Sequence, residues 1–333
     1  MEAKVSLAHG SGGRLTRELV QSLFLPRLAN DALAELSDSA RVQLDGRPLL
    51  FTTDSFVVKP LEFPGGDIGK LAVCGTVNDL AVSGGRPLWL SCGLIIEEGL
   101  PIAVLERVAD SIAAAARDAG VSVVCGDTKV VEAGGADGLF INTAGIGVPI
   151  AGYAPGPIRH GDKVLVSGTI GDHEAAIFQA RENLGRRLAI ASDCASLHGL
   201  VAAMLATGVA VRVMRDPTRG GIGAALNELL AGSGCSVELE EDAIPLREEV
   251  RGMCELVGFD PMYLANEGKL VCFAAAEGAA ALLAAMKAHA LGAGAAAIGE
   301  VAADGRERVY LRSGFGGSRI VAMPSGVQLP RIC

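Results

Sequence analysis

The sequence predicts two domains of similar size, each built from both strands and helices. A length of 333 residues is long for a single core. Strand and helix patterns alternate along the whole chain, and a stretch rich in turn residues, Pro149–Pro157, interrupts them near the middle. We therefore place one domain at residues 1–154, a second at 155–322 and a tail at 323–333.

The elements of the first domain follow from hydrophobic periodicity. Ile68–Ser83 predicts a helix, and Val104–Ala119 predicts another that begins near Pro101, because proline is favoured in the first turn of a helix. Runs that predict strands are Leu49–Val58, Leu88–Glu97, Val121–Cys125 and Leu139–Val148. Lys163–Ser167 opens a second series of strands and helices in the second domain.

Composition and charge exclude several classes of protein. The formal net charge is −9, with no basic patch, which argues against nucleic acid or an anionic membrane as the main partner. Met1–Gly13 lacks the apolar core of a signal peptide. The alanine-rich run Gly278–Ala297 is interrupted by Lys287 and His289, so it does not predict a membrane span. We expect a cytoplasmic protein.

The 8 cysteines do not predict a zinc site, because none form a C-x-x-C pair and no histidine lies at ligand spacing. Most lie in apolar runs and predict small buried side chains. Cys333 differs, since it ends the sequence in the segment 323–333 (MPSGVQLPRIC). We expect this segment to be an extended, weakly tethered tail, able to span about 33 Å from Pro324.

Four aspartates share one kind of setting, at strand ends or in turns beside threonine, asparagine or glycine. They are Asp54, Asp79, Asp127 and Asp216. Each alone is more often a helix cap or turn residue. Together they favour the hard oxygen ligands of Mg²⁺ bound to a polyphosphate.

Two glycine-rich stretches, His9–Arg14 (HGSGGR) and Thr218–Gly223 (TRGGIG), each precede a helical pattern. Free backbone N–H groups at such positions can bind an anion. Neither stretch is a Walker loop or a dinucleotide-binding fingerprint. Each is a weak signal by itself.

Taken in order, these motifs resemble the PurM-like superfamily of aminoimidazole ribonucleotide synthetase and selenophosphate synthetase, whose members use ATP and Mg²⁺. The matching residues are Asp54, Asn78-Asp79-Leu80, Gly126-Asp127-Thr128 and Asp216-Pro217-Thr218-Arg219-Gly220-Gly221. Within it, the chain resembles the HypE family of hydrogenase maturation factors, the carbamoyl dehydratases. That resemblance rests on His9–Gly13, Cys125–Val131, Asn266–Lys269 and Pro330–Cys333. Gly171-Asp172-His173-Glu174 departs from the pattern, in which a glycine follows the histidine.

The resemblance implies an α+β, two-domain PurM-like fold of mixed sheets with helices on one face. It implies that the N-terminal sheets of two subunits pair in a homodimer, and that ATP binds where domains meet. The implied cofactor-binding residues are Gly12, Gly13, Asp54, Asn78, Asp79, Asp127, Thr128, Asn142, Asp216, Thr218, Arg219 and Gly220. The implied metal ligands are Asp54, Asp79, Asp127 and Asp216.

The resemblance also implies a reaction at Cys333. The carbamoyltransferase HypF would load a carbamoyl group onto this thiol, and ATP would drive its dehydration to a thiocyanate. The cyanide would pass through the iron-carrying HypC–HypD scaffold to the [NiFe]-hydrogenase centre. Lys129 and Glu267 are the implied catalytic partners of Cys333. Glu267 would accept a proton, whereas Lys129 would either do so when neutral or stabilise the departing phosphate.

Three smaller points complete the interpretation. Arg331 is a candidate docking contact of the tail, and His173 either lines the nucleotide or tail channel or simply begins a helix. One alternative is another ATP-dependent enzyme of the superfamily, but a selenophosphate synthetase needs its reactive residue near the N-terminus, and the first cysteine here is Cys74. The other alternative is a non-catalytic thiol carrier that binds ATP only structurally.

Overall fold

The structure is a computed structural model that describes residues 4–10, 12–28, 30–33, 36–182, 188–326 and 329–333. In these residues the strands form a five-stranded sheet, a seven-stranded sheet and a two-stranded hairpin. The five-stranded sheet ends at Pro149 and the seven-stranded sheet begins at Lys163, so the turn-rich stretch lies between them. No helix within the described ranges is long and apolar enough to cross a membrane.

The first domain contains every strand and helix that the sequence predicted for it. Its strands are β1 (Ala40–Leu44), β2 (Arg47–Phe56), β3 (Glu62–Phe63), β4 (Gly66–Asp67), β5 (Gly85–Glu97), β6 (Ser122–Val131) and β7 (Leu139–Pro149). Its helices are α1 (Arg14–Leu19), α2 (Leu25–Leu28), α3 (Ile68–Val82) and α4 (Ile102–Asp118). A π-helical turn, Val20–Phe24, joins α1 to α2, and Leu7–Gly10 is a short 3-10 turn. Strand β6 continues well past the predicted end at Cys125.

The first sheet has the order β1-β2-β7-β5-β6. Neighbouring strands are antiparallel, except that β5 and β6 are parallel. A parallel pair needs a crossover connection, and α4 supplies it. Since β6 has one neighbour in this sheet, its other edge is unpaired among the described residues.

The second domain forms a mixed sheet of order β14-β13-β10-β12-β8-β11-β9. Its strands are β8 (Lys163–Val166), β9 (Val211–Arg215), β10 (Ser236–Glu240), β11 (Val271–Ala274), β12 (Ala296–Ala302), β13 (Val309–Arg312) and β14 (Ser318–Val321). Its helices are α5 (Asp172–Arg181), α6 (His198–Leu205), α7 (Gly221–Leu230), α8 (Glu248–Val257) and α9 (Ala276–Ala288). Single 3-10 turns lie at Glu241–Ala243, Pro261–Tyr263 and Ala290–Gly292.

The predicted α+β fold with two mixed sheets is present, but the helices are distributed differently in the second domain. The first sheet carries α3 and α4 on one face. In the second sheet, α7 packs against the face of Val164 and Phe273, while α6 and α9 pack against that of Leu165 and Cys272. The reason is that β8 and β11 are short, continuously apolar runs, which bury both faces.

Helix α3 links the two domains. It begins at the N-cap Asp67, whose carboxylate accepts hydrogen bonds from the backbone N–H groups of Gly69 and Lys70. The helix is apolar on nearly all sides and packs between the first sheet and α6 and β9 of the second domain. Its last turn therefore lies at the domain boundary.

The two faces of the first sheet differ in what covers them. We call the face that α3 covers the inner face and the opposite one the outer face. On the outer face, Ile146 of β7 lies between Phe51 of β2 and Trp89 of β5. Phe51 and Trp89 are 44% and 48% exposed, so an apolar surface remains uncovered in the subunit.

Candidate active site at the domain boundary

Four aspartates meet where the domains touch. Asp54 lies on the inner face of β2, Asp79 in the last turn of α3, Asp216 directly after β9, and Asp38 just before β1. Carboxylate oxygens of Asp38, Asp79 and Asp216 lie within 4.8 Å of one another. Thr52 donates a hydrogen bond to Asp79 at 2.7 Å. Sequence reasoning missed Asp38, because it lies in a serine-rich loop with no pattern around it.

Burial raises the pKa of all four carboxyl groups, and repulsion from neighbouring aspartates raises the pKa of Asp79 and Asp216 further. The pKa of Asp79 is raised well above its usual value by burial and by the charges of Asp216, Asp38 and Asp54. Burial raises the pKa of Asp216 to about 8. The guanidinium of Arg215 lies 2.7 Å from the Asp38 carboxylate and lowers the pKa of Asp38, but burial outweighs it. Carboxylates so crowded need protons or a cation, and hard oxygen ligands suit Mg²⁺.

The turn from β9 to α7 carries the second glycine-rich stretch. The N–H of Thr218 donates to the carbonyl of Asp216 at 3.0 Å, and that of Gly221 donates to the carbonyl of Thr218 at 2.9 Å. Gly220, the N-cap of α7, has a φ of 81°, a conformation that favours glycine. The turn therefore exposes the start of α7 directly beside the aspartates.

The two glycine-rich stretches lie against each other and against the start of the tail. A side chain at Gly12 would come within 2.9 Å of the carbonyl oxygen of Arg219, and one at Gly13 within 2.3 Å of that of Pro324. Arg14 donates its backbone N–H to Pro324 at 2.9 Å. Glycine is thus needed here for close backbone approach. Ser11 of this stretch lies outside the described residues.

The tail is extended, but the structure tethers it more firmly than the sequence predicted. Val57 donates its backbone N–H to the carbonyl of Cys333 at 3.0 Å, and Lys59 donates to that of Arg331 at 3.2 Å. Leu329 and Ile332 are buried in the core of the first domain. Backbone pairing and these two apolar side chains explain the docking, which occurs within the tail's own subunit.

His173, whose role the sequence left open, both begins α5 and holds the tail. Its buried ring lies edge-on to Phe63. Nε2 is 2.6 Å from the carbonyl oxygen of Ile332, and Nδ1 is 2.7 Å from the hydroxyl of Ser192. A carbonyl only accepts, so Nε2 carries the proton and Nδ1 accepts from Ser192. Burial lowers the pKa of His173, which favours this neutral form.

Arg181, at the other end of α5, was not predicted from the sequence. Its guanidinium donates to the carbonyl oxygens of Lys59, Pro330 and Arg331. The side chain of Arg331 forms an ion pair with Asp137, so Arg331 contacts the first domain of its own subunit. The tail is therefore bound through its backbone carbonyl groups as well as through the side chains of Leu329, Arg331 and Ile332.

Docking places Cys333 beside a cavity of about 790 Å³, which Glu174 and Arg219 also line. Burial raises the pKa of the Cys333 thiol, the charge of Arg219 lowers it, and the charges of Glu267, Asp54 and Glu174 raise it further. The docked thiol is thus protonated at neutral pH and is a poor nucleophile.

Glu267 has the properties expected of a proton acceptor. It is 3% exposed, and its Oε1 has no hydrogen-bond partner among the described residues. Burial raises its pKa well above the usual value, and the charges of Asp54 and Asp216 add to this. Its backbone N–H donates to Asp193 at 3.0 Å, so its position is fixed.

Glu174, the residue that departs from the family pattern, lies close to the same loop. Its Oε2 accepts from the backbone N–H of Ala265 at 2.8 Å, two positions before Glu267. Burial raises the pKa of Glu174 to about 7. Glu174, which lines the cavity beside Cys333, can therefore exchange protons near neutral pH.

The side chain of Asn78, a predicted nucleotide contact, makes hydrogen bonds across the domain boundary. Both hydrogens of its side-chain amide are used, in bonds to the carbonyl oxygens of Ala195 and Glu267 at 3.1 and 3.2 Å. Its oxygen accepts from the N–H of Leu197 at 2.8 Å. The buried amide joins α3 to the second domain and supports the backbone of Glu267.

The outer face of the first sheet carries the other predicted residues. Strand register places Asp127, Gly93, Asn142 and Ser55 in one row across β6, β5, β7 and β2. Asp54 directly precedes Ser55 on β2, and its side chain points to the inner face because side chains alternate along a strand. Within one subunit the sheet therefore separates Asp127 and Asn142 from the other aspartates, and Asp38 completes the cluster instead.

Lys129 lies on the same side of β6 as Asp127. Its Nζ is 2.7 Å from the Asp127 carboxylate, and the two side chains are 67% and 69% exposed. Thr128, between them, pairs with Leu94 of β5. None of these three residues lines the cavity beside Cys333 in the described part of the subunit.

Comparison with known proteins agrees with this architecture. The family model "AIR synthase related protein, N-terminal domain" matches residues 36–149, and the corresponding C-terminal domain matches 159–312. Carbamoyl dehydratase HypE of Azotobacter vinelandii is 53% identical over 331 residues, 99% of this chain and 97% of the relative. HypE of Escherichia coli K12 is 49% identical over 336 residues, 99% of each chain.

Solved structures show the same fold. A HypE–HypF complex gives a TM-score of 0.87 at 45% identity, covering 92% of this chain and 99% of that chain. A HypE structure in complex with ATP gives a TM-score of 0.82 at 46% identity, covering 99% and 100%.

Proposed function

This chain belongs to the HypE family of carbamoyl dehydratases, built from the two domains of AIR synthase related proteins, and we propose that it converts an S-carbamoyl group on Cys333 into a thiocyanate with ATP. The product is the source of the cyanide ligand of the [NiFe]-hydrogenase iron centre. One observation carries the assignment to these residues. The backbone contacts of the tail place Cys333 beside the cavity that adjoins the buried carboxyl groups.

The residues present fit a magnesium–nucleotide complex. Asp38, Asp54, Asp79 and Asp216 offer a crowded set of carboxylates that a cation would relieve. The glycine-rich stretches, with Gly12, Gly13, Thr218 and Gly220, supply close backbone approach and a helix start suited to phosphate. ATP bound there supplies the phosphoryl group that makes the carbamoyl oxygen a good leaving group. Its binding by a HypE relative supports this assignment.

The protein's own residues accept a proton and stabilise negative charge in this reaction. The group S–C(=O)–NH₂ loses its phosphorylated oxygen as phosphate and both protons from nitrogen, one to Glu267 and the other with the departing phosphate, and S–C≡N remains. Glu267 accepts a proton from the nitrogen, since its Oε1 is free and its raised pKa makes it a stronger base. Arg219, whose positive charge interacts with the Cys333 thiol, stabilises negative charge on the departing oxygen.

Loading of the carbamoyl group takes place with the tail undocked. The docked thiol is protonated and half-buried, so HypF, as the carbamoyl donor, meets Cys333 outside the cavity. The complex of a HypE relative with HypF supports this partner. Transfer of cyanide to the HypC–HypD scaffold requires the same release, and we place the whole cycle in the cytoplasm.

A homodimer accounts for the uncovered outer face. Phe51 and Trp89 expose apolar surface there, and β6 has a free edge that could pair with a second copy. Asp127, Thr128, Asn142 and Lys129 are close to that surface. Since the sheet separates Asp127 and Asn142 from the cluster of their own subunit, we assign the roles of all four residues to the dimer.

Intact mass measurement tests the proposed function. The protein is carbamoylated by HypF, and its mass is followed with and without Mg·ATP, with peptide mapping to locate the adduct. We expect an adduct on Cys333 that loses one water only when ATP is hydrolysed; Cys333→Ser, which has no thiol, is the control. An adduct that never loses water would indicate a carrier, and no adduct would indicate another ATP-dependent enzyme of the superfamily.

A further inference from the structure

Helix α5 contacts the tail at two points that together resemble a clamp. His173 at its first turn donates to the carbonyl of Ile332, and Arg181 at its last residue donates to those of Pro330 and Arg331. All three acceptors are backbone atoms of the tail. Neither side chain touches Cys333 in these contacts, so the helix holds the tail through its backbone and not through the thiol.

The His173 contact depends on a specific tautomer. The ring is fully buried, and Ser192 donates to Nδ1 while itself accepting from the N–H of Cys194 at 3.0 Å. This chain of hydrogen bonds keeps the proton on Nε2, where the Ile332 carbonyl needs it. Phe63 packs edge-on against the ring and fixes its plane.

The docked tail also contains an element that opposes docking. Arg331 has a φ of 59°, a left-handed conformation that is unfavourable for a residue with a Cβ atom. Contacts must maintain it, and Arg181 and Lys59 bond to the carbonyl of this same residue. The tail is therefore held by a few contacts against local strain, so losing one contact should shift the equilibrium measurably.

We propose that α5 is a backbone clamp in which His173 and Arg181 are positioning residues that set the fraction of time Cys333 spends docked. The purpose of this clamp rests on the proposed function. A tail whose thiol is carbamoylated outside the cavity and reacts inside it must dock and undock at a controlled ratio. The test of the clamp does not depend on that function, since it requires neither ATP nor a carbamoyl group.

The test measures alkylation of Cys333 by iodoacetamide, located by peptide mass. The reference is the synthetic peptide PSGVQLPRIC, which has the same thiol and carboxylate but cannot dock. We expect Cys333 in the protein to react at least about 10-fold more slowly than the peptide, since reaction requires release. Because this test does not use HypF, its outcome is independent of whether the protein dehydrates a carbamoyl group. Failure of the clamp proposal can therefore be told apart from failure of the proposed function.

Two variants of His173 separate the hydrogen bond from the packing. His173→Phe keeps a ring against Phe63 but has no donor, and we expect Cys333 to react about 10-fold faster than in the parent. His173→Gln retains an N–H that can reach the Ile332 carbonyl and should restore most of the protection. Equal protection in a folded His173→Phe protein, or equal loss in both variants, would overturn the proposal.

Arg181→Met is a second test variant, which can be used if His173→Phe does not fold. Arg181 is half-buried, and methionine keeps an apolar stem without the donors. We expect a similar gain in Cys333 reactivity, with cooperative unfolding unchanged. Protection equal to that of the parent would show that α5 does not hold the tail.

Discussion

Asn78 and Glu267 are joined across the domain boundary, because the side-chain amide of Asn78 donates to the backbone oxygen of Glu267 at 3.2 Å. We expect Asn78→Ala to lower the free energy of unfolding by about 2–4 kcal/mol, since it leaves buried backbone groups of Ala195, Glu267 and Leu197 without partners. Urea denaturation measures this. Asn30→Ala, which removes only exposed local hydrogen bonds, is the control and should change stability by about 0.5 kcal/mol or less.

Glu267→Gln should lower the dehydration rate by about 10²- to 10⁴-fold, because the amide cannot accept a proton. Loading of Cys333 should be unaffected, since it takes place outside the cavity. A single-turnover mass assay on carbamoylated protein measures both. In the parent, the rate should rise with pH, because the raised pKa keeps Glu267 protonated over a wider pH range than an ordinary glutamate. A parent-like rate in the variant would assign the base elsewhere.

Glu174 should make stability depend on pH. Its folded pKa of about 7 lies above its unfolded value, so the folded state binds the extra proton and stability falls as pH rises from about 4.5 to 7. The loss is at most about 3 kcal/mol. Glu174→Gln removes it, so the variant should be more stable than the parent at pH 8 and show a smaller difference at pH 5. Urea denaturation at both pH values measures this, and an equal difference at both would contradict it.

Mg²⁺ should stabilise the protein without nucleotide, because a cation relieves the repulsion among Asp38, Asp79 and Asp216. Thermal unfolding with Mg²⁺ and with EDTA measures this. Asp79→Asn removes one charge, so it should raise the stability of the metal-free protein and weaken the response to Mg²⁺. Asp45→Asn, in the exposed turn between β1 and β2, is the matched control and should respond as the parent does. Equal responses in all three proteins would exclude the cluster as the site.

Trp89 should report the proposed dimer, because it is the only tryptophan in the sequence and is 48% exposed in one subunit. If a second subunit covers it, acrylamide should quench its fluorescence weakly, and dilution should increase the quenching. Trp89→Glu should place a charge in the interface and yield monomers by sedimentation. Strong quenching at all concentrations would argue against an interface on the outer face.

The fold was largely predictable because its elements follow regular patterns. Helix α3 and strands β2, β5 and β7 are long, largely apolar stretches bounded by turn residues, and these local features locate them. The three clustered aspartates that the sequence predicted all lie in motifs with glycine, threonine or asparagine.

The remaining site residues depend on contacts distant in sequence. Arg331 bonds to Val57, which lies 274 positions earlier, and no local pattern in a proline- and glycine-bearing tail indicates that pairing. Arg181 resembles any basic residue at the end of a helix, and Asp38 any loop aspartate. The separation of Asp127 from Asp54 depends on which face of the sheet each strand presents, which only the register establishes.

The burial of Leu329 and Ile332 has a consequence for biosynthesis. Both belong to the same apolar cluster as Phe56 and Ile177, yet they leave the ribosome after both sheets. Until then the nascent protein keeps an open apolar slot, which is the kind of surface that chaperones recognise. A chain cut short before position 329 would lose its reactive thiol and would also leave that apolar surface uncovered.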